Sequence, residues 1–188
     1  VMGQMMRVFE ALGNPVDFGT LYQAIKMPRL LDAKAAQLRN NELKAWFTQY
    51  KALDPNDREM RTTGLLSALS QFAFGRTSGL FNSSYTSLGS STESDSNHLI
   101  SLDEMLASNQ IVYFQLPVLL SPFLGKATGR LVLQCLQSAI ANRHRSRNGE
   151  KKFFSVFLDD FTEYLYPGFV SILNKSRSAN IGVVFAHQ

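Results

Sequence analysis

Two kinds of apolar spacing divide this chain. Over residues 1–74 the apolar positions recur at helical intervals. Met2, Met5, Met6, Phe9 and Leu12 make one face of a first helix, which Gly13-Asn14-Pro15 stops. Asp17 is placed to cap a short helix carrying Leu21 and Ile25, ended by Pro28. Residues 29–53 form a long amphipathic stretch with Leu30, Leu31, Leu38, Leu43, Trp46, Phe47 and Tyr50 as buried anchors. Asp54-Pro55-Asn56-Asp57 then supplies an N-cap, a proline at the first helical position and an early acid, so a further helix is predicted over 55–74. Beyond residue 100 strand and helix patterns alternate. Ser101-Leu102-Asp103-Glu104 fits a capping box, and 110–116 reads as a strand. Ser121-Pro122 opens a long helix to His144, with Leu124, Leu131, Val132, Cys135, Leu136, Ala139 and Ile140 on its apolar side. A strand over 153–158, a helix over 167–178 and a strand over 181–186 complete the outline of a doubly wound parallel sheet.

Between the two patterns the composition changes. Residues 75–98 are crowded with Ser, Gly, Thr and Asn, which marks a solvated connector. Three parts follow: an all-α domain (1–74), a Ser/Gly-rich connector (75–98) and an α/β part (99–188). At 188 residues and 45% hydrophobic content the chain can bury a real core, and its net charge of +4 suits an acidic partner. One cysteine, Cys135, excludes an internal disulfide and fits a reducing compartment. Its place in an apolar helical pattern reads as core packing, as does the methionine stripe. The longest apolar run, 111–120, is too short to span a bilayer and contains Gln115 and Pro117. The abrupt ends lead us to expect a segment of a longer protein.

The chemistry concentrates in Phe153-Phe154-Ser155-Val156-Phe157-Leu158-Asp159-Asp160, an apolar run ending in two carboxylates. In an open α/β sheet ligands bind at the carboxyl ends of the strands, where Asp159 and Asp160 fall. The form is that of a Walker B strand, in which one carboxylate holds the water shell of a nucleotide-bound Mg²⁺ and the next orients the attacking water. The same pair could simply cap the following helix. The phosphate loop G-x-x-x-x-G-K-[ST] is absent. Gly125-Lys126-Ala127-Thr128 has Leu120 in place of the upstream glycine and Ala127 in place of the hydroxyl, and reads as a helical turn. Arg143, His144, Arg145, Arg147, Lys151 and Lys152 cluster between a helix end and the acidic strand. They form either a solvated capping loop or a set of nucleic-acid phosphate contacts. His98, His144 and His187 have no metal-ligand spacing, and no G-x-S-x-G elbow supports a serine hydrolase.

Five pieces taken in order resemble one family: Ser101-Leu102-Asp103-Glu104-Met105-Leu106; Ile111-Val112-Tyr113-Phe114-Gln115-Leu116-Pro117; Leu158-Asp159-Asp160-Phe161; Asn174-Lys175-Ser176-Arg177-Ser178-Ala179-Asn180; and Gly182-Val183-Val184-Phe185-Ala186-His187-Gln188. Together they resemble the type IV secretion coupling proteins, the membrane-anchored hexameric ATPases that pass DNA or protein substrates to conjugation and secretion channels. The resemblance covers roughly residues 99–188. It implies a RecA-like parallel-sheet P-loop NTPase domain interrupted by an all-α domain, which residues 1–74 would supply, with the phosphate loop upstream of Val1. It further implies ATP and Mg²⁺ as cofactors of the full protein, with Asp159 holding the Mg²⁺ through water. Asp160 stands in the place of the usual catalytic glutamate, Arg177 matches an arginine reaching a neighbouring subunit's nucleotide, and Gln188 matches a sensor of the γ-phosphate. Asp160 is one methylene shorter than that glutamate, so the backbone compensates, Glu163 assists, or the ATPase is slow. The expected setting is a homo-hexamer at the cytoplasmic face of the bacterial inner membrane, with other secretion components as partners, an anchor outside this segment, and no turnover by the segment alone. A non-catalytic substrate-recognition or adaptor module and another RecA-like DNA translocase are the alternatives.

Overall fold

The computed structural model describes residues 1–14, 16–74, 78–82, 101–108, 110–116, 118–145 and 152–186. The chain divides into two compact units, Val1–Asn97 and His98–Gln188.

The first unit is helical: α1 (Met2–Ala11), α2 (Phe18–Lys26), a 3-10 turn (Pro28–Leu31), α3 (Asp32–Ala35), α4 (Asn41–Ala52) and α5 (Pro55–Ala73). Polar side chains start three of these helices by accepting otherwise unpaired N–H groups: Asp17 from Thr20, Asn40 from Glu42 and Leu43, and Asp54 from Asn56. The Asn40 cap is why the amphipathic stretch expected over 29–53 is two helices instead of one. Leu31, Leu38, Leu43, Phe47 and Tyr50 are buried as expected, whereas Leu30 faces solvent on the 3-10 turn. On α1 the core takes Met5, Val8 and Phe9 and leaves Met2 and Met6 outside.

Two buried polar anchors fasten this unit. The Tyr50 hydroxyl donates to the Ile25 carbonyl at 2.7 Å, satisfying an oxygen in the last turn of α2, while its ring stacks on Trp46 at 5.3 Å. Asn82 accepts from the Gly19 N–H at 2.7 Å and donates to the Phe72 and Ser78 carbonyls, each at 2.8 Å. Beside it Phe81 sets its edge against Phe72 and Phe18, which are themselves stacked at 4.6 Å. Residues 78–82, inside the expected connector, are thus folded onto α2 and α5. The remainder of 75–98 lies outside the described residues.

The second unit contains α6 (Leu102–Ala107), α7 (Pro122–Arg145), β1 (Phe154–Leu158), a 3-10 turn (Phe161–Tyr164), α8 (Phe169–Ser176), a 3-10 turn (Arg177–Ala179) and β2 (Ile181–Phe185). The Ser101 hydroxyl accepts from the Glu104 N–H at 3.3 Å, starting α6 as its capping pattern predicts. β1 and β2 pair in parallel, Phe154 opposite Ile181 through Leu158 opposite Phe185, with α8 as the crossover.

This sheet corrects the fold class. A doubly wound, RecA-like parallel sheet is expected from the sequence, and among the described residues the sheet has two strands. Residues 110–116, expected to form a strand, have no regular secondary structure. Ile111 and Tyr113 are fully or largely exposed and Phe114 is partly so, and among the described residues no strand lies alongside this apolar run to complete its hydrogen bonds. The apolar run over 153–158 reads as a buried strand of a parallel sheet, yet only one face of β1 is covered. Phe154, Val156 and Leu158 face the core with Ile181 and Val183, while Phe153, Phe157 and Val184 are exposed on the other face. Cys135, expected in the core, is exposed on α7. The core of the unit is Leu106, Leu133, Leu136, Ala139, Ile140, Phe169, Ile172, Ala179 and Ile181. Among the described residues no helix is long and apolar enough to cross a membrane.

Replacing Asn82 by alanine removes the acceptor of the buried Gly19 N–H and the side-chain donor to the Phe72 and Ser78 carbonyls, which is expected to cost the first unit about 1–3 kcal/mol. Trp46 is the chain's single tryptophan, so denaturant unfolding followed by its fluorescence reports on this unit. A loss below about 0.5 kcal/mol would show that Asn82 is not an anchor.

Candidate functional site

Asp159 and Asp160 form the turn that leaves β1, and the end of β2 pins this turn from the side. The Ala186 N–H donates to the Leu158 carbonyl at 2.9 Å, and the Ala186 carbonyl accepts from the Phe161 N–H at 3.4 Å. The two backbone bonds flank the acidic pair and bring the carboxyl ends of both strands together. Asp160 takes the left-handed conformation (φ 47°, ψ 39°), which aspartate tolerates better than most residues because its short polar side chain can bond locally. The Asp159 carboxylate accepts from the Asp160 N–H at 3.0 Å, and the Asp160 carbonyl accepts from the Glu163 N–H at 3.0 Å. Both aspartates remain exposed. The two carboxylates therefore sit at the carboxyl end of a parallel strand on a turn with defined backbone geometry.

The amino-terminal part of α7 grips the next residues. Lys126 Nζ lies 2.7 Å from Glu163 Oε2, and the Tyr164 ring lies against Gly129. A Cβ at Gly129 would fall 2.3 Å from Tyr164 Cδ1, so this contact needs glycine. Burial raises the Tyr164 phenol above its ordinary pKa of 10.0, and the charges of Asp160, Glu163 and Asp159 raise it further. Glu163, weighed above as an auxiliary base, is thus engaged in a partly exposed ion pair with Lys126 on α7. Farther along α7, Gln137 Oε1 accepts from the Tyr166 hydroxyl at 2.6 Å and Gln137 Nε2 donates to Ser171 Oγ at 2.7 Å. That relay holds the start of α8.

Arg177 is at the other end of the sheet. It follows α8 directly, is exposed, and leads through the left-handed Asn180 into β2. With five paired residues per strand, about 17 Å of strand separates this level from the acidic turn. The structure therefore does not bring Arg177 together with Asp159 and Asp160 within one chain. Gln188 lies outside the described residues, as do Arg147 and Lys151. Of the remaining basic residues, Arg143 donates through its guanidinium to the carbonyls of Leu106 (2.7 Å) and Lys152. It thereby closes the end of α7 onto the start of β1. Arg145 and Lys152 are exposed, as is Lys175 at the end of α8. The amino end of the sheet is basic and its carboxyl end acidic.

Among the described residues, no three His, Cys, Asp or Glu side chains converge into a set that could hold a metal ion directly. The donor set at the turn fits a hydrated Mg²⁺ held through water better than direct coordination, because one Asp159 oxygen is already occupied by the Asp160 N–H. Sequence reasoning missed Gly129, Tyr164 and the Lys126–Glu163 pair. Lys126 stood out only as part of a failed phosphate-loop match, and nothing in the spacing links it to Glu163, which lies 37 positions later.

Gly129→Ala is expected to destabilise the second unit by about 1–3 kcal/mol by forcing the Tyr164 ring off α7. Adding Tyr164→Ala should recover part of that loss in a double-mutant cycle of thermal stability, and strict additivity would refute the contact. The raised Tyr164 pKa also sets a pH dependence. A phenol that holds its proton more tightly in the fold contributes its full stability below pH 10, and that contribution is lost as pH rises through the folded value. Asp160→Asn removes the largest charge contribution and should lower the pH at which Tyr164 ionises, read from tyrosinate absorbance against a Tyr164→Phe reference.

No family model matches this chain, and neither the curated proteins nor the solved structures contain a match.

Proposed function

We propose that the chain is the cytoplasmic motor segment of a coupling ATPase of the type IV secretion and conjugation kind, acting at the inner membrane with an anchor outside this segment. The observation that carries the reading is the pinned turn at the carboxyl end of β1. It presents two adjacent exposed carboxylates where open α/β sheets bind ligands. In this reading Asp159 holds the hydrated Mg²⁺ of bound ATP, and Asp160 orients the water that attacks the γ-phosphate. The cation, when bound, neutralises charge on the phosphates. Arg177 stands at the opposite end of the strands and so cannot serve the same chain's nucleotide, which supports a role in trans within a ring of copies. Gln188, two residues beyond Ala186, would sense the γ-phosphate. The exposed Arg145 and Lys152, with Arg147 and Lys151, would carry contacts to a nucleic-acid cargo, and protein cargo and other secretion components are the further partners. Arg143 is committed to backbone carbonyls and is expected to act structurally.

A second reading, a substrate-recognition module without hydrolysis, is favoured by the sheet having two strands among the described residues. One experiment separates the two. In the full-length assembled protein Arg177→Ala should abolish most ATPase activity, about a thousandfold for an arginine supplied in trans, and leave nucleotide binding largely intact. Mixing it with an Asp160→Asn protein should restore part of the activity, because neighbouring copies can then pair an intact Asp160 with an intact Arg177. Normal hydrolysis by Arg177→Ala would make the arginine structural. Absence of hydrolysis in the unmutated assembly would leave the recognition module.

A further inference from the structure

β1 and β2 bury one face against the helices, and among the described residues no element covers the other. Alternate residues build that open face: Phe153, Ser155 and Phe157 from β1, Gly182 and Val184 from β2. Phe153, Phe157 and Val184 are 66%, 75% and 55% exposed. A Cβ at Gly182 would fall 2.7 Å from Phe153 Cζ, so the Phe153 ring leans across the glycine onto β2. Phe157 stands opposite Val184 in the register. Between the two phenyl rings Ser155 leaves a slot. The same sheet carries opposite charge at its two ends, with exposed Arg145, Lys152, Lys175 and Arg177 at the amino ends of the strands and exposed Asp159 and Asp160 at the carboxyl ends.

We propose that this open face docks a second copy of the chain, sheet on sheet about a two-fold axis, with the strands of the two copies antiparallel. The charge polarity selects the direction. Strands running the same way would set cations on cations and carboxylates on carboxylates, whereas antiparallel docking lays the basic end of each copy on the Asp159–Asp160 turn of the other. A two-fold axis makes every such contact twice. Midway between Lys152 and Asp160 lies Val156, and an axis at that level brings Phe157 of each copy over the Ser155 slot of the other. The two Phe157 rings then meet across the axis, offset by about 7 Å along the strands, within the range of an aromatic pair. Facing sheets pack in this aligned manner, with the side chains of the two inner faces interdigitating. With about 200 Å² for a phenylalanine side chain, the exposed parts of Phe153, Phe157 and Val184 come to roughly 350 Å² per copy, about half of the ~800 Å² that each partner buries in a standard interface. The charged ends supply the remainder, which makes the pair weak and sensitive to salt. This pairing closes on two copies and does not depend on reading the chain as an ATPase.

Sedimentation equilibrium of the 188-residue chain over a range of concentrations tests this. The unmutated chain should associate reversibly from monomer to dimer, less tightly as salt is raised. Phe157→Glu should weaken the dimer about a hundredfold by placing a charge at the centre of the contact, and Phe157→Thr, which keeps a good strand former, serves in its place if circular dichroism shows the first variant unfolded. Lys152→Glu and Asp159→Lys should each weaken the homodimer about tenfold, since either one sets like charges together at both ends. An equimolar mixture of those two variants should associate again, because the introduced glutamate of one faces the introduced lysine of the other while the second end keeps its native pair. A chain that stays monomeric at every concentration has no such contact. A dimer that survives Phe157→Glu and Phe157→Thr uses another face. If the Phe157 variants dissociate the dimer but the mixture of charge variants does not associate, the antiparallel arrangement is wrong.

Discussion

The second unit depends on the contact between one face of the β1–β2 sheet and α7. Five-residue strands pair too little backbone to stand alone, so the sheet persists because Phe154, Val156 and Leu158 bury against a helical layer. α7 is about 36 Å long, more than twice the length of either strand. Its central residues Leu133, Leu136, Ala139 and Ile140 fill the core. Its ends reach past the sheet on both sides. Arg143 holds the start of β1 through the Lys152 carbonyl, and Lys126 and Gly129 hold the 3-10 turn that follows β1. Each end of the strand is therefore set by the same rigid element.

That arrangement gives the sheet a charge polarity. Exposed Arg145, Lys152, Lys175 and Arg177 gather at the amino ends of the strands, and Asp159 and Asp160 stand at the carboxyl ends. The separation follows from a parallel crossover. β1 and β2 run the same way, so residues that precede β2 share a level with residues that precede β1. An arginine 17 positions after Asp160 in sequence is consequently carried back to the far end of the strand. Proximity along the chain would have suggested the opposite.

The first unit relies on buried hydrogen bonds to join segments far apart in sequence. Tyr50 and Asn82 both end on α2, one at the Ile25 carbonyl and the other at the Gly19 N–H. Satisfied bonds of this kind contribute modestly, but leaving either group unpaired in the core is costly, which makes the register of α2 against its neighbours specific. Burial raises the Tyr50 pKa, and the nearby Arg58 charge opposes that rise.

The sequence by itself determined the local elements, because their causes are local. Asp17, Asp54 and Ser101 cap the helices that the spacing predicts, the α5 and α7 spans fall within a residue of expectation, and β1 and β2 lie where the apolar runs place them. It also placed Asp159 and Asp160 at the end of a strand. Only tertiary structure decided which predicted faces found a partner. An apolar run reads the same whether one side or both are covered, so Phe157 and Val184 could not be told from core residues. The apolar run within 110–116 could not show that, among the described residues, no strand lies beside it. The Lys126–Glu163 pair, the Tyr164 seat on Gly129 and the distance of Arg177 from the acidic turn likewise arise from packing between elements. Spacing along one chain carries no record of the approach of another segment, and that approach decided how the turn bearing Asp159 and Asp160 is held.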